Sequence, residues 1–484
     1  MAPLFLLLFI AGVFAEKNFE YEAVHFNDAR NPHGLLKKAV MSKPSVPISS
    51  DASGMAVGTL FVFSFLNSHL SANDQSYTEN LLVTITNPGA GVATATIYSL
   101  FPGFNNQTVT VPPNTSHYFN ITPASIQVDY MNTQSTGLLG TQGYKKENKA
   151  IWVSSDNPIK LVATNQLTDG SGEDKFAVLP VCQLGTNYMA VVDESARITD
   201  SPQSTNIISI IATQDNTTVT YAGLLLGSAN LNKGESYNIV TIRPASSVGI
   251  TSNKPVAVIS GAVCGYGYYN VPQISCSHEA LMLYPSSAFD VAYPYYKFLP
   301  EDAGEIMIYG TTNNTIISAD GYPFHSLNSG YFLIMKIMRG IYLTANYPIY
   351  VVGSGTINSK DQGAPFLAHV PGPSMFTGGP VLFATALSAD EAQNMVHYAR
   401  VVTTLDNIGS IAVDGYVANG LLYTRMGASN YYFFDFPLKI GDDKNHRVQA
   451  NTPGATFAVT VYGYGMLRSY AFNPAMNLPI TGNC

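Results

Sequence analysis

The chain has 484 residues, too many for one small domain and enough for roughly three or four units of about 100–150 residues each. Hydrophobic residues make up 46% and charged residues only 12%, which excludes a disordered chain. Twenty-four basic residues against 32 acidic ones leave a net charge of −8 without basic clusters, so a phosphate-binding surface is excluded and nucleic acid is not a partner.

Leu4 to Phe14 is an apolar run, and Val13-Phe14-Ala15 puts Val and Ala at the −3 and −1 positions of a cleavage site, the pattern of a secretory signal peptide cut after Ala15. Residues 1–15 are therefore assigned to a signal peptide and the product is expected to be secreted and extracellular. No later run has the about 20 apolar residues of a membrane helix, so no membrane span is expected after cleavage. Residues 16–50 show neither helical period nor strand alternation and read as an extended arm or linker. From Met55 onward, short runs rich in Val, Ile, Thr, Tyr and Phe alternate with Gly, Asn, Pro and Asp, the signature of an all-β chain.

The β region repeats itself. A proline-led strand recurs as Asn157-Pro158-Ile159-Lys160-Leu161, Lys254-Pro255-Val256-Ala257-Val258 and Tyr347-Pro348-Ile349-Tyr350-Val351, its prolines 97 and 93 residues apart, with a looser fourth copy at Thr456 to Gly463. Before each copy a turn leads into an aromatic strand, at Asn114 to Tyr118, Lys233 to Tyr237, Asn328 to Tyr331 and Ala428 to Tyr431. After each comes a proline, Pro180, Pro285, Pro371 or Pro474. The prolines are expected at strand entries, where a missing N–H costs no ladder bond. The fold class is all-β, with four imperfect repeats of about 90–100 residues forming tandem β-sandwich-like modules. Their expected spans are 51–198, 199–298, 299–388 and 389–484, with sheets either separate or joined into a larger assembly.

An oxidising destination makes the four cysteines disulfide candidates. Cys264 and Cys276 enclose a short flexible segment and are paired first, leaving Cys182 with Cys484; Cys484 is alternatively free to bond a second chain, and Cys182 to be simply buried. Sequons at Asn106, Asn114, Asn120, Asn216 and Asn313 mark surface positions for glycan.

No catalytic pattern is found. There is no G-x-S-x-G elbow, and His278-Glu279 lacks the second histidine of a zinc protease because Met282 stands there. Asp169, Glu173 and Asp174, and likewise Glu301, Asp302 and Glu305, read as solvated loop carboxylates; the first group departs from the calcium-loop pattern. Gly265 and Gly463, in Gly-Tyr-Gly strings, read as bulges or close backbone contacts. No catalytic residue, metal or cofactor is assigned.

The repeats diverge most just after the proline-led strand, at Gln166 to Lys175, Cys264 to Cys276 and Thr356 to Gly363. Variable loops on a constant scaffold suit recognition. Tyr266, Tyr268 and Tyr269 in the cysteine-bounded loop supply contact area with polar tips, or else fill gaps between modules.

The run Ile207 to Thr220, then Leu231 to Tyr237, then Ser252 to Gly261 with Cys264 and Cys276, resembles the IgGFc-binding protein N-terminal domain family, as does Phe176 to Val192. The resemblance is clearest over about residues 150–300 and extends over about 55–484. Where the family has Gly-His before its first cysteine, this chain has Gly261-Ala262-Val263. The resemblance implies a secreted or surface adhesion protein, linked in its best-known member with mucus and the Fc part of immunoglobulin G. The expected function is non-enzymatic binding of an extracellular protein, glycoprotein, matrix or cell-surface partner through module loops. The alternatives are a structural coat that self-associates through Cys484, or a carbohydrate hydrolase using loop carboxylates.

Overall fold

The computed structural model of the chain describes residues 56–68, 79–128, 134–135, 142–167, 173–191, 205–223, 226–241, 247–265, 277–385, 395–418, 421–438, 445–481 and 484. The expected signal peptide and arm lie outside them. The described residues are almost entirely antiparallel strands joined by short turns. This is the all-β, sandwich-like architecture that the alternating sequence demands.

Three long strands organise it: Ile151–Leu167, Val248–Gly265 and Ile341–Ser354. Each contains one repeat proline in its middle, so Pro158, Pro255 and Pro348 do not open strands as the sequence suggested. The reason is a break in the neighbouring ladder. Gly58 pairs with Ile159 but Leu60 with Ser154; Gly185 pairs with Val256 but Asn187 with Thr251; Asp290 pairs with Ile349 but Ala292 with Thr344. The proline sits in the skipped stretch, where it removes no pairing donor and lets the strand bend. Upstream of the bend the first long strand runs between Gly58–Phe63 and Ala93–Ser99; downstream it runs between Glu79–Asn87 and Glu173–Val178. The other two long strands repeat this order. A strand that changes sheets at a bulge is how two sheets are folded over one core.

An Asp or Asn two residues before each proline seals the bend. Asp156 accepts the Thr94 N–H at 2.7 Å, Asn253 that of Thr218 at 2.8 Å and Asn346 that of Ile316 at 2.7 Å. The turns before the aromatic strands also share a cause: Asn114, Gly234 and Gly330 hold φ of 54°, 82° and 82°, where only Asn and Gly are comfortable.

The repeat prolines downstream have a packing role. A Cβ added to Gly58 would stand 2.5 Å from the Cβ of Pro180, and one added to Gly185 would stand 2.5 Å from that of Pro285. In the third repeat the partners are exchanged, since a Cβ on Gly372 would meet the Asp290 Cβ at 2.5 Å. Pro180, Pro285 and Gly372 each precede a 3-10 turn, so Pro371 falls one residue before the equivalent place. Each repeat thus closes its start on its end through one small and one bulky residue.

The fourth repeat departs from the other three. Its Phe457–Gly465 strand pairs without a break along Met395–Thr404, has no proline and stays in one sheet. A second sheet beside it contains Val381–Ala384, Asn445–Ala450 and Ile411–Val413. Cores cross repeat limits. One buried cluster extends from Phe61 through Ile210 and Val351 to Tyr462 and Leu478, and a second gathers Phe383, Val401, Phe434 and Phe457. Sheets are shared as well: Gln142–Glu147, from the first repeat, adds a strand to the second repeat's sheet.

Cys484 is tied back to the first repeat. Cys182 and Cys484 form a disulfide, and the Cys484 carbonyl accepts the Thr59 N–H at 3.0 Å and its hydroxyl at 2.8 Å. Cys484 is therefore not free to link a second chain, contrary to that alternative. Cys264 is disulfide-bonded, and Cys276 lies outside the described residues.

His369 joins the second and third repeats. Its Nε2 lies 2.9 Å from the Met282 carbonyl, which can only accept, so Nε2 carries the proton and Nδ1 accepts the Tyr350 hydroxyl at 3.0 Å. Burial pushes its pKa down to about 4 from 6.5. Its folded pKa lies below the unfolded one, so stability present above pH 6.5 is lost as pH falls towards 4. We expect His369→Gln to remove up to about 3 kcal/mol of this acid sensitivity, at about 1.4 kcal/mol per pH unit. Urea midpoints of both proteins across that interval check it; parallel curves would refute it.

Candidate binding surface

The strands that flank the three variable segments are equivalent. Each segment follows the downstream end of a long strand and leads to the last strand of its repeat, Glu173–Val178, Ser277–Met282 or Leu367–His369. Tyr266, Tyr268 and Tyr269 lie outside the described residues. The loop described in full is the third, residues 355–366.

That loop is held from within and from behind. The Asn358 side-chain oxygen accepts the N–H groups of Lys360 and Gln362, both at 2.9 Å, and Asp361 takes a φ of 58°. Asp302 accepts the Ser359 N–H at 2.8 Å, a bond that lowers its pKa. On the fourth repeat, the Gly465 carbonyl accepts the Gly363 N–H and the Asp361 carbonyl accepts that of Leu467, each at 2.9 Å. The result is an open cleft lined by Lys360, Gln362, Met395, Val396, Tyr464 and Met466. Met466 is 74% exposed, an unusual state for so apolar a side chain. Tyr464 stacks on Tyr398 at 6.1 Å and Tyr398 on Tyr462 at 5.4 Å, so the tyrosine that lines the cleft is backed by two further rings. Burial raises the Tyr464 pKa, so the phenol stays neutral. Apolar and aromatic area with one amine at the rim is equipment for binding.

The carboxylates expected in solvated loops are mostly elsewhere. Asp169 lies outside the described residues, but Glu173 and Asp174 are buried in a strand. The Glu173 carboxylate is 2.6 Å from Lys175 Nζ, which also donates to the Thr385 carbonyl and lies 4.0 Å over the Tyr470 ring. Asp174 accepts the N–H groups of Ala280 at 2.6 Å and Lys175 at 2.7 Å, while burial raises its pKa well above the usual range. Glu301 and Glu305 are buried too; Glu301 accepts the Phe298 and Thr356 N–H groups, and burial raises its pKa to about 8. Of this second group only Asp302 faces solvent. Backbone donors compensate the burial of Asp174 and Glu301, and the Lys175 ammonium that of Glu173. Among the described residues no three His, Cys, Asp or Glu side chains gather as metal ligands would.

Sequence reasoning singled out Gly265 and Gly463, and both are close approaches: a Cβ would stand 2.2 Å from the Glu279 carboxyl carbon and 2.7 Å from His397 Nδ1 respectively. It missed Val396, Tyr464 and Met466 as a surface. The Tyr464 signal was available in the alternation of tyrosine and glycine along Tyr462 to Gly465. All five sequon asparagines are exposed.

The fold is an all-β scaffold with one described loop that forms a cleft, and the class of protein follows from the family it matches. The family model for IgGFc binding protein matches residues 174–463, more than half of the chain, and the protein belongs to that family. No curated protein matches. Among solved structures, trypsin-activated alpha-2-macroglobulin from Escherichia coli is similar at 9% identity, covering 92% of this chain and 35% of that one, with a TM-score of 0.12. The native E. coli alpha-2-macroglobulin is similar at 8%, covering 86% and 33%, with a TM-score of 0.11. The chain thus spans about a third of those proteins, and such scores carry no argument. No helix among the described residues is long and apolar enough to cross a membrane.

Proposed function

We propose that the protein is a secreted, non-enzymatic recognition or adhesion protein that holds an extracellular protein or glycoprotein on the variable loops of its repeats. The observation that carries this reading is the exposed cleft built where the third variable loop meets the fourth repeat, in a chain of a binding-protein family. Exposure of all five sequon asparagines supports an extracellular life. The loop with Tyr266, Tyr268 and Tyr269 is proposed as a further contact, and weak contacts at several loops add by avidity.

The family's name makes the Fc fragment of immunoglobulin G the first probe, with a mucin glycoprotein and collagen beside it. Titrated on the immobilised secreted protein, at least one is expected to bind saturably. Val396→Glu with Met466→Glu, or Tyr266, Tyr268 and Tyr269 all changed to Ser, is expected to weaken that binding at least tenfold with an unchanged melt, about 1.4 kcal/mol or more. Binding indifferent to both sets, or absent for all three probes, overturns the reading.

A further inference from the structure

The hairpin turn at the rim of the cleft breaks a rule that other turns of the chain keep. Asp320-Gly321 and Asp414-Gly415 join their strands with φ of 52° and 87° and of 50° and 80°, values that Asp and Gly tolerate. Phe457–Gly465 and Arg468–Phe472 are joined instead by Met466-Leu467, with Leu467 at φ 55°. Among the described residues, the other non-glycine residues with positive φ are Asn, Asp and Ala56. A leucine in that region is strained, and the Asp361 carbonyl holds it there by accepting its N–H. The turn therefore carries exposed apolar surface at the cleft where Asp or Gly would be easier to accommodate, a pattern that points to use rather than to folding.

The remaining residues state what the cleft can hold. Lys360 is the one charged residue that lines it. Its ammonium has no hydrogen bond or ion pair, and the acid whose charge it feels, Asp302, already accepts the Ser359 N–H. Gln362 Oε1 accepts Asn358 Nδ2 at 3.1 Å, which leaves the Gln362 NH2 group to donate. Val396 and Met466 present methyl groups. Tyr398 lies nearly parallel to Tyr464, at 9°, and covers one face of that ring, so the other face is left for a ligand. The backbone at the rim is already paired, Gly363 N–H to the Gly465 carbonyl and Leu467 N–H to the Asp361 carbonyl, so an extended peptide finds no ladder to join.

We propose that this cleft takes a terminal N-acetylated sugar acid, a sialic acid, and so selects a glycoprotein by its glycan. The proposal rests on the cleft being a recognition surface, as read above. The sugar's carboxylate pairs with Lys360, its hydroxyl or amide oxygen accepts from Gln362, its acetyl methyl packs on Val396 and Met466, and its C–H face lies on the Tyr464 ring. A neutral apolar ligand would take water from the Lys360 ammonium and give nothing back. A small acid without an apolar body would leave the methyl wall and the ring unused.

A polymer displaying sialyllactose, with one displaying lactose as its control, titrated on the immobilised secreted protein tests this. The sialyl polymer is expected to bind about tenfold more tightly, the worth of one hydrogen-bonded charge pair, with Lys360→Gln removing most of that preference and Lys360→Arg retaining it. Added salt is expected to reduce the preference of the wild type and leave Lys360→Gln unmoved. Thermal melts confirm that each variant is folded. Equal binding of the two polymers, binding of neither, or a preference that survives Lys360→Gln overturns the proposal. So does a peptide of alternating Glu and Leu that displaces the sialyl polymer better than free sialyllactose does. Sialidase separates this proposal from the reading beneath it: a mucin that binds equally well after treatment refutes the sugar acid and leaves recognition standing, whereas failure of mucin, Fc and collagen alike removes both.

Discussion

Arg400→Met is expected to lower the stability of the fold by about 3–5 kcal/mol, the range for breaking a buried ion pair by removing one partner. Arg400 is buried where the third repeat meets the fourth. Its Nε and Nη2 grip both oxygens of Asp435 at 2.9 and 2.8 Å, and Nη1 donates to the carbonyls of Tyr296 at 2.7 Å and Lys297 at 2.9 Å. Its guanidinium carbon lies 4.4 and 4.7 Å from the ring centres of Phe433 and Phe298. Burial opposes the charge, but Asp435 beside it holds the pKa above its ordinary value. Loss of the arginine strands Asp435 and two carbonyls together. Arg400→Lys should cost nearly as much, because an ammonium cannot form the fork. Arg400→Met with Asp435→Leu should recover much of the loss, since an apolar pair removes both desolvation costs. Urea midpoints at constant slope check this series, and a double variant weaker than Arg400→Met would refute it.

Replacing both Cys182 and Cys484 by Ser is expected to cost about 2–5 kcal/mol. The bond joins residues 302 apart, so it removes much freedom from the unfolded chain, and loop-entropy reasoning alone gives about 5–6 kcal/mol. The hydrogen bonds around it add a local share: Thr481 donates its N–H and hydroxyl to the Cys182 carbonyl at 2.7 and 3.0 Å, and Thr59 binds Cys484. A urea midpoint unmoved in the double variant would show that these contacts suffice. Cys182→Ser alone should free Cys484 and yield chains linked on a non-reducing gel.

The sequence by itself determined the all-β class, the repeat and the family, because these rest on local chemistry. Alternation and β-branched residues make strands wherever they lie, Asn114, Gly234 and Gly330 make the same turn for the same steric reason, and prolines spaced 97 and 93 residues apart mark one bend three times. Only the tertiary structure decided that those prolines lie inside strands, since this depends on which neighbour skips a register. It also decided that Glu173, Asp174, Glu301 and Glu305 are buried. A carboxylate beside Gly or Pro reads as solvated until backbone donors from Ala280, Phe298 and Thr356, up to 106 residues away, are seen to meet it. The cleft at Tyr464 and Met466 and the grip of Arg400 were hidden for the same reason. Each depends on how distant segments pack, and no local pattern in an isolated stretch encodes which faces are left uncovered.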